Sequence, residues 1–92
     1  MITSFGDRRT QAVVDDWWVP EFHGFARIAK RKLALVNAAG RLEDLRVPPG
    51  NRLEKLSGDR EGFHSIRIND QWRVIFRWDD GHAHDVQIVD YH

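Results

Sequence analysis

From Phe63 to Tyr91 the sequence largely alternates between polar and apolar residues, with turn-forming breaks at Asn69-Asp70-Gln71 and at Asp79-Asp80-Gly81. A period of two is the spacing of side chains on the two faces of a β-strand. Both interruptions are built from residues that favour tight turns. The pattern predicts three successive antiparallel strands, at residues 63–68, 72–78 and 83–91. In a chain of 92 residues this leaves room for one core, hence one domain, 1–92. Parity sorts the faces. Trp72, Val74, Phe76 and Trp78 share one side; Arg73, Ile75 and Arg77 share the other. In the strand before, Ile66 and Ile68 oppose Phe63, Ser65 and Arg67. The aromatic side must pack on the preceding segments, which places Arg73 and Arg77 on an outer, solvent-facing side.

Those preceding segments read as a strand and two helices. Met1-Ile2-Thr3-Ser4-Phe5 is β-prone and placed to be a first strand. In DRRTQAVVDDWW, Asp7 caps a short helix whose apolar stripe is Val13, Val14 and Trp17, and Pro20 stops it. A second helix covers roughly residues 25–39. Phe25, Ile28, Ala29, Lys32, Leu35, Val36 and Ala39 share one face, the Lys32 stem lying along it, and Gly40 ends it. Pro48, Pro49 and Gly50 then mark a loop. The fold class is α+β: an N-terminal strand, two helices, then an antiparallel sheet packed on the helices.

Composition narrows the function classes. The chain has no cysteine, which excludes disulfides and thiolate chemistry and suits a reducing cytoplasm. No apolar run approaches a membrane span, and the N-terminus lacks an apolar signal core. Fourteen Lys and Arg balance fourteen Asp and Glu, so the chain is no generic polyanion binder. The distribution is uneven, however. Residues 22–42 carry five cations (Arg27, Lys30, Arg31, Lys32, Arg41) and no acid, and residues 46–78 carry seven Lys and Arg against four acids. A neutral total thus hides a basic region, and local potential is what steers a polyanion.

A lone arginine on a wet strand face is ordinary solubilising surface. Arg67, Arg73 and Arg77 together, with Arg52 and Arg60 upstream, ask for more, because a guanidinium fork matches phosphate oxygens bidentately. His82, His84 and Asp85 form an H-x-H-D run without a third well-placed ligand, so no metal site is expected. Tyr91 and Trp78 read first as packing residues, and Lys30-Arg31-Lys32 as a solvated helix face.

The stretch PPGNRLEKLSGDREGFHSIRINDQWRVIFRW, followed by the terminal VDYH, resembles the HigB-type toxins of bacterial toxin–antitoxin modules, a branch of the RelE superfamily. The resemblance covers Val47 to His92 closely and the N-terminal half more loosely. It implies a compact microbial ribonuclease fold. It also implies metal-independent, cofactor-free cleavage of mRNA in the ribosomal A site, by attack of a ribose 2′-OH on the adjacent phosphate. The 2′-OH requirement explains RNA over DNA. A cognate HigA-type antitoxin silences such proteins, and DNA is reached only through that partner.

By position, the resemblance implies that Arg73 of QWRV supports the scissile phosphate and that His92 transfers a proton near neutral pH. Arg67 of SIRI falls where relatives carry a cation on the adjacent strand. Tyr91 stacks on a base or orients His92. Glu54 of RLEKL stands where some relatives have histidine, leaving a carboxylate to accept the 2′-OH proton. Arg52, Lys55, Arg60, Arg77, Lys30, Arg31 and Lys32 supply RNA and rRNA contacts. The chain departs from the family's pattern at Ser57, where many relatives have lysine; Lys55, two residues away, is the substitute expected in the phosphate cradle. His64 has no assigned role. These departures keep a second reading open, a feebly catalytic relative that chiefly binds an antitoxin and represses its own operon. The antitoxin is expected on the N-terminal helices, at the exposed Trp17 and Trp18.

Overall fold

The computed structural model describes residues 1–91. Two helices, α1 (Arg8–Val14) and α2 (Ala26–Ala38), precede four strands: β1 (Glu54–Lys55), β2 (Phe63–Arg67), β3 (Trp72–Asp79) and β4 (His82–Asp90). The strands form one antiparallel sheet in the order β1-β2-β3-β4, so every connection joins neighbours. The turn chemistry is the one the sequence calls for. Asn69 Oδ1 accepts from the amides of Gln71 and Trp72 and rounds the β2–β3 turn. Asp80 and Gly81, both at positive φ, close β3 onto β4.

The N-terminus lies along β4 but is not a continuous strand. It makes two parallel bridges, Ile2 with Ala83 and Phe5 with Val86. Between them β4 bulges at Asp85, whose φ is 53°, and its amide turns to Ser4 Oγ at 2.9 Å instead of a ladder carbonyl.

Helix α1 is shorter than its apolar pattern. Asp7 does cap it, accepting from the Thr10 amide at 2.8 Å. Its end is set by Asp16 in the left-handed region, with the Trp17 amide reaching back to the Ala12 carbonyl at 2.9 Å. The chain therefore leaves the helix well before Pro20. Trp17 and Trp18 stand outside it, 73% and 71% exposed, and the expected stripe reduces to a buried Val13. On α2 the buried residues are Ala29, Leu33 and Val36, with Ile28 turned out. This i, i+4, i+7 row packs against Ile66, Val74, Phe76, Val86 and Ile88 from the inner face of the sheet. Trp72 closes one end against Phe22 and Phe25, with ring centroids 5.4 and 5.3 Å away.

The outer face is less open than alternation implies. Ile75, Leu56 and Ser65 are buried there, and the Arg73 side chain is only 11% exposed, whereas that of Arg77 is 49% exposed. The segment from Leu45 to Glu54 folds against this part of the sheet. Its anchor is the fully buried Asn51, which donates to the carbonyls of Leu45 and Val47 at 3.1 and 3.3 Å and accepts from Lys32 Nζ at 2.6 Å. Among the described residues, no helix is long and apolar enough to cross a membrane.

Candidate active site

Strand register stacks the outer face into rows. Glu54, Ser65, Ile75 and Gln87 form one; Arg67, Arg73 and Val89 form the next. Arg67 and Arg73 are thus direct cross-strand partners, a like-charge pair that is unfavourable unless the side chains part. They do part. Arg67 turns toward the β2–β3 loop and pairs with the fully exposed Asp70. Arg73 leans the other way, onto its diagonal neighbour Ser65, donating through Nη1 to Ser65 Oγ at 2.8 Å and to the Arg52 carbonyl at 3.3 Å. Through Nη2 it reaches Glu54 Oε1 at 3.3 Å.

The loop geometry that supplies these partners is local. Asn51 fixes the approach, and Arg52 follows in the left-handed region (φ 47°), which brings its carbonyl to Arg73 and sends the chain into β1. The Arg73 guanidinium also lies over the Tyr91 ring, 5.2 Å from its centroid, and Arg60 lies over the same ring at 5.9 Å. A guanidinium carries five N–H donors. Arg73 spends three on Ser65, Arg52 and Glu54, leaving the Nε–H and one Nη2–H without a partner among the described residues. The second Nη2–H is on the nitrogen that reaches the half-exposed Glu54 carboxylate. The arrangement can hold an oxyanion and present a carboxylate to the same group.

The sequence candidates divide accordingly. Arg73, Glu54, Tyr91, Arg52 and Arg60 come together. Arg67 shares the face but is held by Asp70. Arg77 lies at the other end of β3, over the Phe63 ring at 4.3 Å and 3.5 Å from Asp85. Lys55 pairs in register with His64, on the face opposite Glu54, so it does not join the Arg73 cluster as the substitute expected for a lysine at position 57. His64 packs near the Phe76 ring; its own burial, then the Lys55 charge, push its pKa below the usual imidazole value. Lys30 pairs with Asp16. Lys32, read from sequence both as a stem along the apolar face of its helix and as part of the solvated Lys30-Arg31-Lys32 run, is committed to Asn51; burial foremost, then Arg31 and Arg67, lower its pKa. The clustering of Arg31, Lys32 and Arg67 extends positive charge from α2 toward the Arg73 row. His92 lies outside the described residues. No group of three or more His, Cys, Asp or Glu among the described residues is placed to hold a metal ion. Sequence reasoning passed over two members of the site, Ser65 and Asn51. Ile75 was their available signal, an apolar residue between two arginines on a supposedly wet face.

Two clefts lie elsewhere. One, about 360 Å³, is lined by Ile2, Phe5, Val14, Leu33 and Ala34. The other, about 220 Å³, is lined by Trp17, Trp18 and Val19, and Lys30 borders both. Both sit on the helical side of the sheet, away from Arg73.

Residues 21–92 match the family model described as HigB-like toxin, the RelE-like toxin of the type II toxin–antitoxin system HigB. The chain is 55% identical over 53 residues to Toxin HigB-1 of Vibrio cholerae serotype O1, covering 58% of this chain and 56% of that protein. It is 42% identical over 41 residues to Endoribonuclease HigB of Proteus vulgaris, covering 45% of each. The matched segments thus span about half the length of these curated relatives. In fold, YafQ of E. coli strain BL21(DE3) superposes with a TM-score of 0.67 at 13% identity, over 98% of this chain and 93% of that one. The YoeB–YefM complex of Staphylococcus aureus matches with a TM-score of 0.58 at 18% identity, over 100% of this chain and 98% of that one. On the strength of the family match, this chain belongs to the HigB-like family of RelE-like toxins of type II toxin–antitoxin systems.

Proposed function

We propose that this toxin is an endoribonuclease that cuts mRNA in the A site of the translating ribosome without a metal ion, residues 1–92 acting as one unit in the cytoplasm. The observation that carries this reading is the Arg73 guanidinium on the outer face, paired with the Glu54 carboxylate and with two donors that have no partner among the described residues. In the proposed reaction Glu54 takes the proton of a ribose 2′-OH, and the 2′ oxygen attacks the adjacent phosphorus. The phosphorus–O5′ bond breaks, leaving a 2′,3′-cyclic phosphate. The departing O5′ needs a proton, the role assigned to His92. Arg73 meets the charge that grows on the non-bridging oxygens, the largest contribution expected where the protein supplies little covalent chemistry. Tyr91 offers its ring edge to the flanking nucleotide, since Arg73 and Arg60 already lie over the ring. Arg52, Arg60 and Arg67, with Arg31 and Lys32 beyond them, hold the RNA backbone; Lys30, Lys55 and Arg77 are left for rRNA.

Supporting the assignment, one curated relative is named an endoribonuclease. The test is sequencing of RNA 5′ ends after induction. New ends within translated messages are expected for wild type and absent for Arg73→Ala; identical ends in both would refute the role of Arg73. Equal cutting of free RNA without ribosomes would remove the A-site part.

The partner proposed is a HigA-type antitoxin on the helical side, where the two clefts and the exposed Trp17 and Trp18 are contiguous through Lys30. That side is opposite the Arg73 face, so such a partner leaves the site uncovered. The near-burial of Arg73 against Glu54 favours a second reading, a slow nuclease that serves chiefly to bind its antitoxin and repress the operon. Growth arrest with intact mRNA ends, or no arrest, would select it.

A further inference from the structure

Ser65 has no place in the reading so far, yet it is one of three buried polar residues among those described, with no exposed surface at all. It sits in the middle of β2, opposite Glu54 on β1 and Ile75 on β3, on the face that carries Arg73. Polar side chains on that face of a sheet ordinarily reach water, and a hydroxyl removed from water needs a partner. The partner is the Arg73 guanidinium, at 2.8 Å the shortest of its three bonds. The other two, to the Arg52 carbonyl and to Glu54, are both 3.3 Å and both come from the segment around β1. Ser65 is the partner that ties the Arg73 guanidinium to the adjacent strand β2. Serine is also short enough for the guanidinium to lie across β2, where a long side chain would push it off.

We propose that Ser65 is a positioning residue for the reaction. By accepting from Nη1 it turns Arg73 away from Arg67 and fixes the remaining donors of the guanidinium toward the site of the phosphate. It touches no reacting atom and acts only through Arg73. The inference rests on the nuclease reading above. Without this anchor, Arg73 rotates about its long stem, and its charge is no longer in place as the phosphorane forms. The loss belongs to kcat more than to KM, because the remaining cations still hold the RNA.

The experiment pairs two readouts on the full chain. Cleavage by wild type, Ser65→Ala and Ser65→Thr is measured on ribosomes stalled on a defined mRNA. In parallel, nitrogen NMR of the Arg73 guanidinium reports whether rotation at Nη1 is slow or averaged. Ser65→Ala is expected to lower kcat by about ten- to a hundredfold with KM within about threefold, and to average the Nη signals; Ser65→Thr, which keeps the hydroxyl, restores both. A Ser65→Ala protein that cleaves within about twofold of wild type, or that keeps slow Nη rotation, overturns the inference and leaves the nuclease reading standing. Equal loss in Ser65→Ala and Ser65→Thr also overturns it, since volume and not the hydroxyl then matters. A wild-type protein that cuts nothing sinks the nuclease reading itself, and the proposed role for Ser65 with it.

Discussion

Replacing Asn51 by alanine tests whether the site is held by the fold or by the loop that carries it. Asn51 has no exposed surface and makes three side-chain hydrogen bonds. Two run to backbone carbonyls, and a neutral bond of this kind contributes about 1 kcal/mol net. The third accepts from the Lys32 ammonium at 2.6 Å; bonds to charged groups contribute about 1.5–3 kcal/mol. Lys32 is only partly covered and regains water when Asn51 is lost, which removes much of that term. The carbonyl of Leu45 is in a buried bond and does not recover so easily. The sum is a loss of about 3 kcal/mol, a large share of the ~5–15 kcal/mol that holds a small domain together. For a domain of this size it lowers Tm by roughly 12–24 °C. Urea unfolding should show a lower midpoint with an unchanged m-value. Cleavage should also fall at temperatures where the variant is folded, because the Arg52 carbonyl and Glu54 lose their placement. A destabilisation below about 1 kcal/mol would show that Pro48, Pro49 and the flanking backbone fix the loop by themselves, and the reasoning from Asn51 would fail.

Three further outcomes are expected. His64 is held below the ordinary imidazole pKa of 6.5 by burial and by Lys55, so on acidification the unfolded chain protonates first. Stability is lost as pH falls from about 6.5 until the folded ring also takes its proton; urea midpoints of His64→Gln should be flatter across that window, and equal slopes would refute the shift. Gly62 sits at φ 90°, and an added Cβ would lie 2.7 Å from Arg77 Nη1. That arginine tip can move but the backbone strain cannot, so Gly62→Ala should cost about 1–2 kcal/mol by thermal melting. Trp17→Asp with Trp18→Asp should leave Tm nearly unchanged, since both rings are in solvent, while abolishing co-purification of a co-expressed antitoxin; retained capture would move the partner elsewhere.

What the sequence disclosed followed from its regular parts. The meander was legible because side-chain parity and turn residues in β2–β4 agree with each other, and the helical side was correctly taken as the aromatic one. Irregular backbone was not legible. The aspartate in a left-handed conformation at position 16 ends α1 before its apolar pattern does, and nothing in VVDDWW distinguishes that from a helix running on to Pro20. β1 is two residues long, too short for any period, yet it carries Glu54 into the site. Asn51 in a Pro-Gly loop looks like a turn residue and proves to be a buried clamp.

The arginines show why parity alone could not give the site. It put Arg67 and Arg73 on one face, and register confirms that they are paired. Two guanidiniums converging on a single phosphate is the natural inference from that placement. Their own repulsion opposes it in the absence of the anion, and each strand position offers a different escape. Asp70 lies three residues beyond Arg67, in the turn, and takes it outward into solvent. Arg73 faces no acid on its own strand until Asp79, so its counter-charge comes from β1, as Glu54, across the small side chain of Ser65. The carboxylate at position 54 therefore has two duties at once. It balances Arg73, and in the proposed reaction it stands next to the phosphate that Arg73 would bind. A histidine at position 54, which the family resemblance implies for some relatives, would supply no such permanent negative charge; glutamate joins the proposed binding cation and the proposed base in one ion pair. In the proposed reaction a phosphate approaching Arg73 would compete with Glu54 for the guanidinium and loosen that pair, which would leave the carboxylate to take the 2′-OH proton.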